Sequence, residues 1–436
     1  MLAVALSVLL SVLDYTVANI ATPDIAHDIH ASNAAAIWII NAYQLANLIA
    51  LLPVALLGEK FGHARMCRLG LLVFVVASLC CAMSHNLPEL ALARAVQGLG
   101  GACILGVNAA LIRYIYPANQ LGRGIALNGL IIASGVAIGP SVAAVVLFFA
   151  GWQWLFLINL PLGGVAFYFA FTSLPKTPRT DVKFDALGAG LLAVALACIV
   201  TGGDHLAQGG SWQESAALLV TGLIAMALLV RWQLGRKHPL LPVDLLARPG
   251  FSIAFATGFL SFVASNFFMI SMPFNLTDQL HRSPVETGLI ITAWPVAIMA
   301  TAPLVGRLAD RYPASLLSTL GMVICGTGFL LLRLLPAVPS DPDIAWRIGL
   351  AGLGFSMLQP PNNKAMLMAA PRSRVSGASG MISVSRLSGQ TIGGMLVALT
   401  LGLAHPEPTR TCLSFAAMAA YVAAGLSLTR VLARED

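Results

Sequence analysis

Long, nearly unbroken apolar runs alternate with short polar punctuation along the whole chain. A helix rises about 1.5 Å per residue, so roughly 20 apolar residues cover a hydrocarbon core of about 30 Å. The runs meet that length and predict helices over 2–22, 34–57, 66–84, 88–112, 123–149, 153–174, 185–203 and 214–232. Six more follow over 251–276, 285–305, 315–336, 344–368, 378–402 and 411–431, fourteen in all. An even number puts both termini on one side. Membrane strands would show segments of about ten residues with alternating polarity, which these continuous runs do not. Inside lipid every backbone polar group needs an internal partner, so the expectation is an all-α membrane protein.

Composition agrees with the pattern. Of 436 residues, 58% are hydrophobic and 10% charged, against roughly 25% charged in an ordinary soluble domain. A water-facing surface cannot be built from so few charges. The basic residues are unevenly shared between alternate loops: nineteen fall on one side, Arg282, Arg333, Arg347 and Arg410 on the other, and Arg94 and Arg386 within spans. By the positive-inside rule both termini are expected in the cytoplasm. That rule also accounts for the net charge of +7 without nucleic acid, because the cations stand singly or in small groups beside apolar runs. Seven cysteines show no metal-ligand spacing and read as small packing residues. The first run lacks a basic n-region and a cleavage site, so it is expected to be a permanent helix.

The chain divides at two polar connectors. LPKTPRTDVKFD follows the sixth helix near Leu174, and RWQLGRKHPLLPVDLLARPG covers 231–250. The expected organisation is therefore a six-helix bundle over 1–175, two linker helices with their connectors over 176–248, and a second six-helix bundle over 249–436. Duplication supports two bundles, since GEKFGHAR at 58–65 and GRLADRYP at 306–313 each follow the second helix of a set of six. Repeated bundles commonly place one binding site near the bilayer midplane, open to either side in turn.

Polar residues inside the runs are the candidates for chemistry. Asp14 lies deep in the first span, where an ionisable group costs about 2.5–3.5 kcal/mol on insertion scales. Desolvation raises a carboxyl's proton affinity and a nearby cation lowers it, so alternating surroundings would load and release a proton. The competing reading is structural, an Asp capping a broken helix or bonded to its neighbours. Arg94 is the matching cation, with Gln97 three residues on and Gly98 and Gly101 permitting close backbone approach. It could equally be a polar anchor between helices. Gly135, Gly139 and Pro140 form a small-xxx-small pattern with a bend. A cavity for amphipathic or cationic molecules needs aromatic faces, adaptable methionine and a few polar groups. Its candidates are Tyr15, Asn19, Trp38, Asn41, Tyr43, Gln44 and Gln97 in the first bundle, with Asn266, Phe267, Met269, Asn275, Trp294, Gln359, Asn362 and Gln390 in the second. No HExxH, nucleophile elbow or phosphate loop appears, so an enzyme is not expected.

Eight motifs in order make the chain similar to the major facilitator superfamily and, within it, to the fourteen-helix drug:proton antiporter family. LDYTVANIATPDI at 13–25 resembles the first-helix signature, WIINAYQLA at 38–46 the second, and ALLGEKFGHAR at 55–65 the loop motif after it. RAVQGLGGA at 94–102 resembles the fourth-helix motif and GVAIGP at 135–140 the antiporter motif of the fifth. WQWLFLINLPLG at 152–163, GLGFSMLQPP at 352–361 and GASGMISVSRLSGQTIGG at 377–394 complete the likeness. Two departures stand out: Ala143 and Ala144 replace the glycines that usually follow the fifth-helix motif, and the loop motif has Glu59 for Asp with His63 and Ala64 at its basic positions.

The resemblance implies proton-coupled export of amphipathic, cationic drugs or toxic compounds by alternating access, with export of an endogenous metabolite, lipid or siderophore as the alternative. It implies proton coupling through Asp14 and Arg94, and gating by Glu59, Arg65, Gly135, Gly139, Pro140, Arg307, Asp310 and Arg311. No cofactor is expected beyond a proton gradient, and no metal. The expected partners are small substrates, protons and membrane lipids, with the chain acting as a monomer in a bacterial inner membrane.

Overall fold

In the computed structural model of the protein, the described residues are all but 118–119, 176, 178–183, 235, 237–238, 337, 372–374, 404–406 and 433–436. Several connector cations, among them Lys176, Arg179 and Lys183, therefore lie outside the described residues, as do the side chains of Arg123 and Asp310.

Among the described residues the structure is helical without strands. The first unit contains α1 (Leu2–Asp28), α2 (Asn33–Ala36), α3 (Trp38–Phe61), α4 (His63–Ala82), α5 (Leu87–Ile115), α6 (Leu121–Phe149), α7 (Gln153–Leu157) and α8 (Asn159–Ser173). Then come α9 (Ala186–Ala207), α10 (Trp212–Leu234), α11 (Pro249–Phe274), α12 (Pro284–Ile291) and α13 (Ala293–Arg311). The chain ends with α14 (Ala314–Arg333), α15 (Asp341–Ala369), α16 (Val375–Leu403) and α17 (Pro408–Leu432). Twelve helical stretches among the described residues are long and apolar enough to cross a membrane. Two further helices, α15 and α16, each 29 residues long, overlie the other two expected ranges and are not among those twelve.

Local breaks follow from proline. Pro161 has no N–H to give the carbonyl of Leu157, and the helix is interrupted at Ile158, between α7 and α8. Pro295 follows the break between α12 and α13, and a π-helical turn, Asn275–Gln279, follows Pro273. By contrast α6 continues through Pro140.

Duplication extends to the turns. His30 after α1 and His281 after α11 both adopt positive φ, 53° and 51°. In each case the serine two residues later caps the next helix: Ser32 accepts from Ala35 N–H and Ser283 from Glu286 N–H. Two corresponding turns thus share the sequence His-x-Ser and the same backbone geometry, which was not read from the sequence.

The helices group into two compact units, Met1–Ala197 and Cys198–Asp436, so the boundary falls inside α9. In the first unit α6 lies on α1, where a Cβ at Gly135 would stand 3.1 Å from Val12 Cγ1 and one at Gly139 only 2.6 Å from Thr16 Cβ. Arg68 donates to the carbonyls of Ala170 (2.9 Å) and Phe171 (3.4 Å), supplying donors that the C-terminal turn of α8 lacks internally. In the second unit the buried apolar residues include Leu245, Phe251, Ala254, Met366, Ala378 and Met381.

A second buried carboxylate lies near the end of a helix: Asp204 is 2% exposed. The predicted seventh span stopped at residue 203, whereas α9 runs on to Ala207 and takes Asp204 into its last turn.

Candidate functional site

A fully buried polar cluster occupies the middle of the first unit. It is assembled from α1, α3, α4, α5 and the first residue of α8. Asp14 and Arg94 are its charged members, with side chains 1% and 0% exposed and 2.6 Å between Asp14 Oδ2 and Arg94 Nη1. Asp14 Oδ1 accepts from Gln97 Nε2 at 2.8 Å and from Asn159 Nδ2 at 2.6 Å. Three donors, from Arg94, Gln97 and Asn159, therefore converge on one carboxylate.

Arg94 is held from several directions. Its Nε donates to the backbone carbonyl of Ile39 at 3.0 Å, and its Nη1 to Gln97 Oε1 at 2.5 Å. Tyr43 places its ring 4.5 Å from the guanidinium carbon, with Phe156 at 5.6 Å, so cation–π attraction adds to the ionic contact. Tyr43 is in turn fixed by a 2.8 Å hydrogen bond between its hydroxyl and Ser11 Oγ. The Arg94 Nη2 atom has no hydrogen-bond partner among the described residues.

The spacing of α5 explains why this cluster can form. Arg94 and Gln97 are three apart and share a face. Gly98 and Gly101 follow on, and added Cβ atoms would collide with the Tyr43 carbonyl and hydroxyl, respectively. Glycine at both positions lets α5 lie against α3 closely enough for Arg94 to reach the Ile39 carbonyl.

Ser78 on α4 completes the wiring. Its hydroxyl donates to the Phe74 carbonyl at 2.8 Å, leaving its oxygen to accept from Gln97 Nε2 at 2.7 Å and Asn159 Nδ2 at 3.3 Å. Cys81, one turn further along α4, reaches Gln97 Oε1 at 3.7 Å. Ser78 and Asn159 were missed as site residues in the sequence. The signal for Asn159 was present in INLPLG at 158–163, where an amide stands two residues before a helix-breaking proline.

The cavity candidates separate by unit. On α1 and α3, Asn19 donates to the Tyr15 carbonyl at 3.0 Å and Gln44 to the Tyr15 hydroxyl at 3.3 Å. Asn41 is buried beside them in sequence and Trp38 is half-buried. In the second unit Asn266 donates to the Gln390 carbonyl (2.5 Å), Gln359 to Ser261 Oγ (3.1 Å) and Asn362 to the Ala254 carbonyl (2.9 Å). These contacts draw α11, α15 and α16 into one polar seam. Phe267 lies 5.9 Å from Phe415, and Met269 is half-buried. Asn275 bonds to Gln279 and Thr409, both at 3.0 Å, and lines a cavity of about 160 Å³ with Arg410. Trp294 is 2% exposed, stacked on Phe268 at 5.0 Å and on Phe329 at 5.9 Å. It sits inside a packed aromatic core. Of the gating candidates, Glu59, Arg65, Arg307 and Arg311 are exposed, Gly135, Gly139 and Pro140 are buried, and the Asp310 side chain lies outside the described residues.

Among the described residues no group of His, Cys, Asp and Glu side chains could hold a metal ion. Ionisable side chains inside membrane helices are costly, so the buried Asp14–Arg94 pair marks this cluster as the candidate functional site.

The chain is 44% identical over 432 residues to the uncharacterized transporter YebQ of Escherichia coli (strain K12), covering 99% of this chain and 94% of that protein. It is 26% identical to the riboflavin transporter RibZ of Clostridioides difficile (strain 630), over 88% of this chain and 84% of that one. It is also 26% identical to the multidrug resistance protein Stp of Mycobacterium tuberculosis (strain CDC 1551 / Oshkosh), over 90% of this chain and 74% of that one. A crystal structure of a POT family transporter in complex with 5-aminolevulinic acid has the same fold, with a TM-score of 0.76 at 15% identity over 99% of this chain and 95% of that one. Residues 4–252 and 254–435 match the Major Facilitator Superfamily. The protein is an integral membrane transporter, and it belongs to the Major Facilitator Superfamily.

Proposed function

We propose that this transporter is a proton-coupled exporter of amphipathic, cationic compounds, working by alternating access. The observation that carries the reading is the buried Asp14–Arg94 pair, 2.6 Å apart and sealed from solvent. Adding a proton to Asp14 would leave the Arg94 charge buried without its counter-ion, a state costing several kcal/mol unless the surroundings rearrange. Proton uptake and helix movement are thereby tied to one another. In this reading residues 1–175 and 249–436 are the two rocking bundles and 176–248 an inserted helix pair, as in the fourteen-helix drug:proton antiporters. The aromatic and amide groups of α1, α3, α11, α15 and α16 supply the substrate surface. The chain works as a monomer in a bacterial inner membrane with both termini cytoplasmic, and it exchanges protons for substrate without a cofactor.

Multidrug and export-named relatives favour drugs as cargo, among them Stp and the tetracenomycin C resistance and export protein of Streptomyces glaucescens, 26% identical. The relative named as a riboflavin transporter favours a second reading, export of an endogenous metabolite by the same machinery.

The test is transport by the purified protein in sealed liposomes, using a panel of cationic dyes and flavins under an imposed pH gradient. Uphill movement of a cationic dye that collapses with a protonophore is the expected result. Movement of flavins alone would select the second reading, and uphill movement indifferent to the protonophore would remove proton coupling.

A further inference from the structure

The cluster around Asp14 contains two neutral residues whose hydrogen-bond directions are completely determined. Ser78 gives its one hydroxyl hydrogen to the Phe74 carbonyl, so towards its other neighbours it can only accept. The groups it accepts from are the amide nitrogens of Gln97 and Asn159. Each NH2 has two hydrogens, and with one directed to Ser78 the second is directed to Asp14 Oδ1. A hydroxyl on α4 thus turns two amides so that both present donors to the same carboxylate oxygen.

The remaining atom of this wiring is also informative. Asn159 is 0% exposed, and its Oδ1 has no hydrogen-bond partner among the described residues. An uncommitted carbonyl oxygen in such a place is costly. It is also the kind of acceptor a protonated carboxyl needs, because a COOH group must direct its own hydrogen at something. Rotation of the Asn159 amide would exchange a donor suited to the carboxylate for an acceptor suited to the acid.

We propose that Asn159, oriented by Ser78, is a positioning residue that sets the proton affinity of Asp14: its N–H holds the charged form and its carbonyl oxygen receives the protonated one. The proposal rests on the reading of Asp14 as the proton carrier. The titratable groups facing the cluster are Arg94 from α5, Tyr43 from α3 and Cys81 from α4, while α8 contributes the amide. No other residue combines direct contact with Asp14, contact with Ser78 and an uncommitted oxygen among the described residues.

The experiment is infrared difference spectroscopy of the full-length protein in lipid, following the protonated-carboxyl band that the Asp14→Asn variant lacks. Asn159→Leu, which keeps the branched shape and removes both polar atoms, is expected to raise the titration midpoint by about one pH unit, because the charge-assisted donor lost to the carboxylate is stronger than the neutral acceptor lost to the acid. Ser78→Ala is expected to move it the same way by less, since the amides stay but lose their orientation. A purely structural role would lower the unfolding temperature and leave the midpoint in place. Should Asn159→Leu fail to fold, Ser78→Ala decides alone. A midpoint unchanged or lowered in the folded variants, or no Asp14 band in any of the proteins across the accessible pH range, overturns the assignment. A raised midpoint in a protein whose transport ignores the proton gradient would instead retain this assignment and remove the exporter reading.

Discussion

The two units fill corresponding places with opposite chemistry. In the first, helices α1, α3, α4 and α5 meet around an ion pair with amide and hydroxyl partners. In the second, α11, α13, α14 and α15, which follow the same order in their own set of six, meet around stacked rings: Phe268, Trp294, Phe329 and Phe355. Ring stacking is short-ranged and has no protonation state, so that core is indifferent to pH. A buried ion pair is different, because adding one proton changes which arrangement is lowest in energy. A duplicated fold can thus keep one half as a firm support and make the other responsive.

Breaking the ion pair should have the largest effect. Arg94→Met leaves a buried carboxylate with Gln97 and Asn159 alone, and should lose about 3–5 kcal/mol in reversible unfolding measured in micelles. Combining it with Asp14→Leu removes both charges and should recover most of that loss; a double variant as unstable as the single one would contradict the assignment of the penalty to a stranded charge.

The aromatic core can be broken on the same scale but with a different signature. Trp294→Ala should cost about 3–5 kcal/mol by opening a cavity among the rings. Its loss should be equal at acid and alkaline pH, whereas the loss in Arg94→Met should shrink towards acid pH as Asp14 is neutralised. Parallel pH dependence in the two variants would erase the distinction between the halves.

Packing of α6 on α1 ranks next. Gly139→Ala forces a Cβ to within 2.6 Å of Thr16 Cβ and should cost about 1–3 kcal/mol in the same unfolding assay. Gly135→Ala, whose closest approach is 3.1 Å, should cost less.

The smallest effect compares the repeated turns. Ser283→Ala removes a capping box and Ser32→Ala a single cap bond. Each should cost about 1 kcal/mol, with Ser283 the larger of the two.

Much of this architecture was legible in the apolar pattern, because spans are set by a length requirement that any long run satisfies. The ends were less so. Asp204 was left outside its span since a charged residue after two glycines reads as a loop, while the helix continues one more turn. The charged half of the site was legible for a related reason: Asp14 and Arg94 stand out against apolar surroundings. Ser78 and Asn159 did not, because serine and asparagine are common in membrane helices and only tertiary contact gives them a direction. Trp294 shows the limit from the other side, since composition marks it as suitable for a ligand and packing places it among three other rings.

The most direct measurement is paired transport by the Asp14→Asn variant in liposomes. The variant should exchange labelled for unlabelled substrate across the membrane while failing to concentrate it against a gradient when protons are supplied. If Asp14→Asn drives substrate uphill as well as the parent does, the buried carboxylate is not where proton movement and transport are joined.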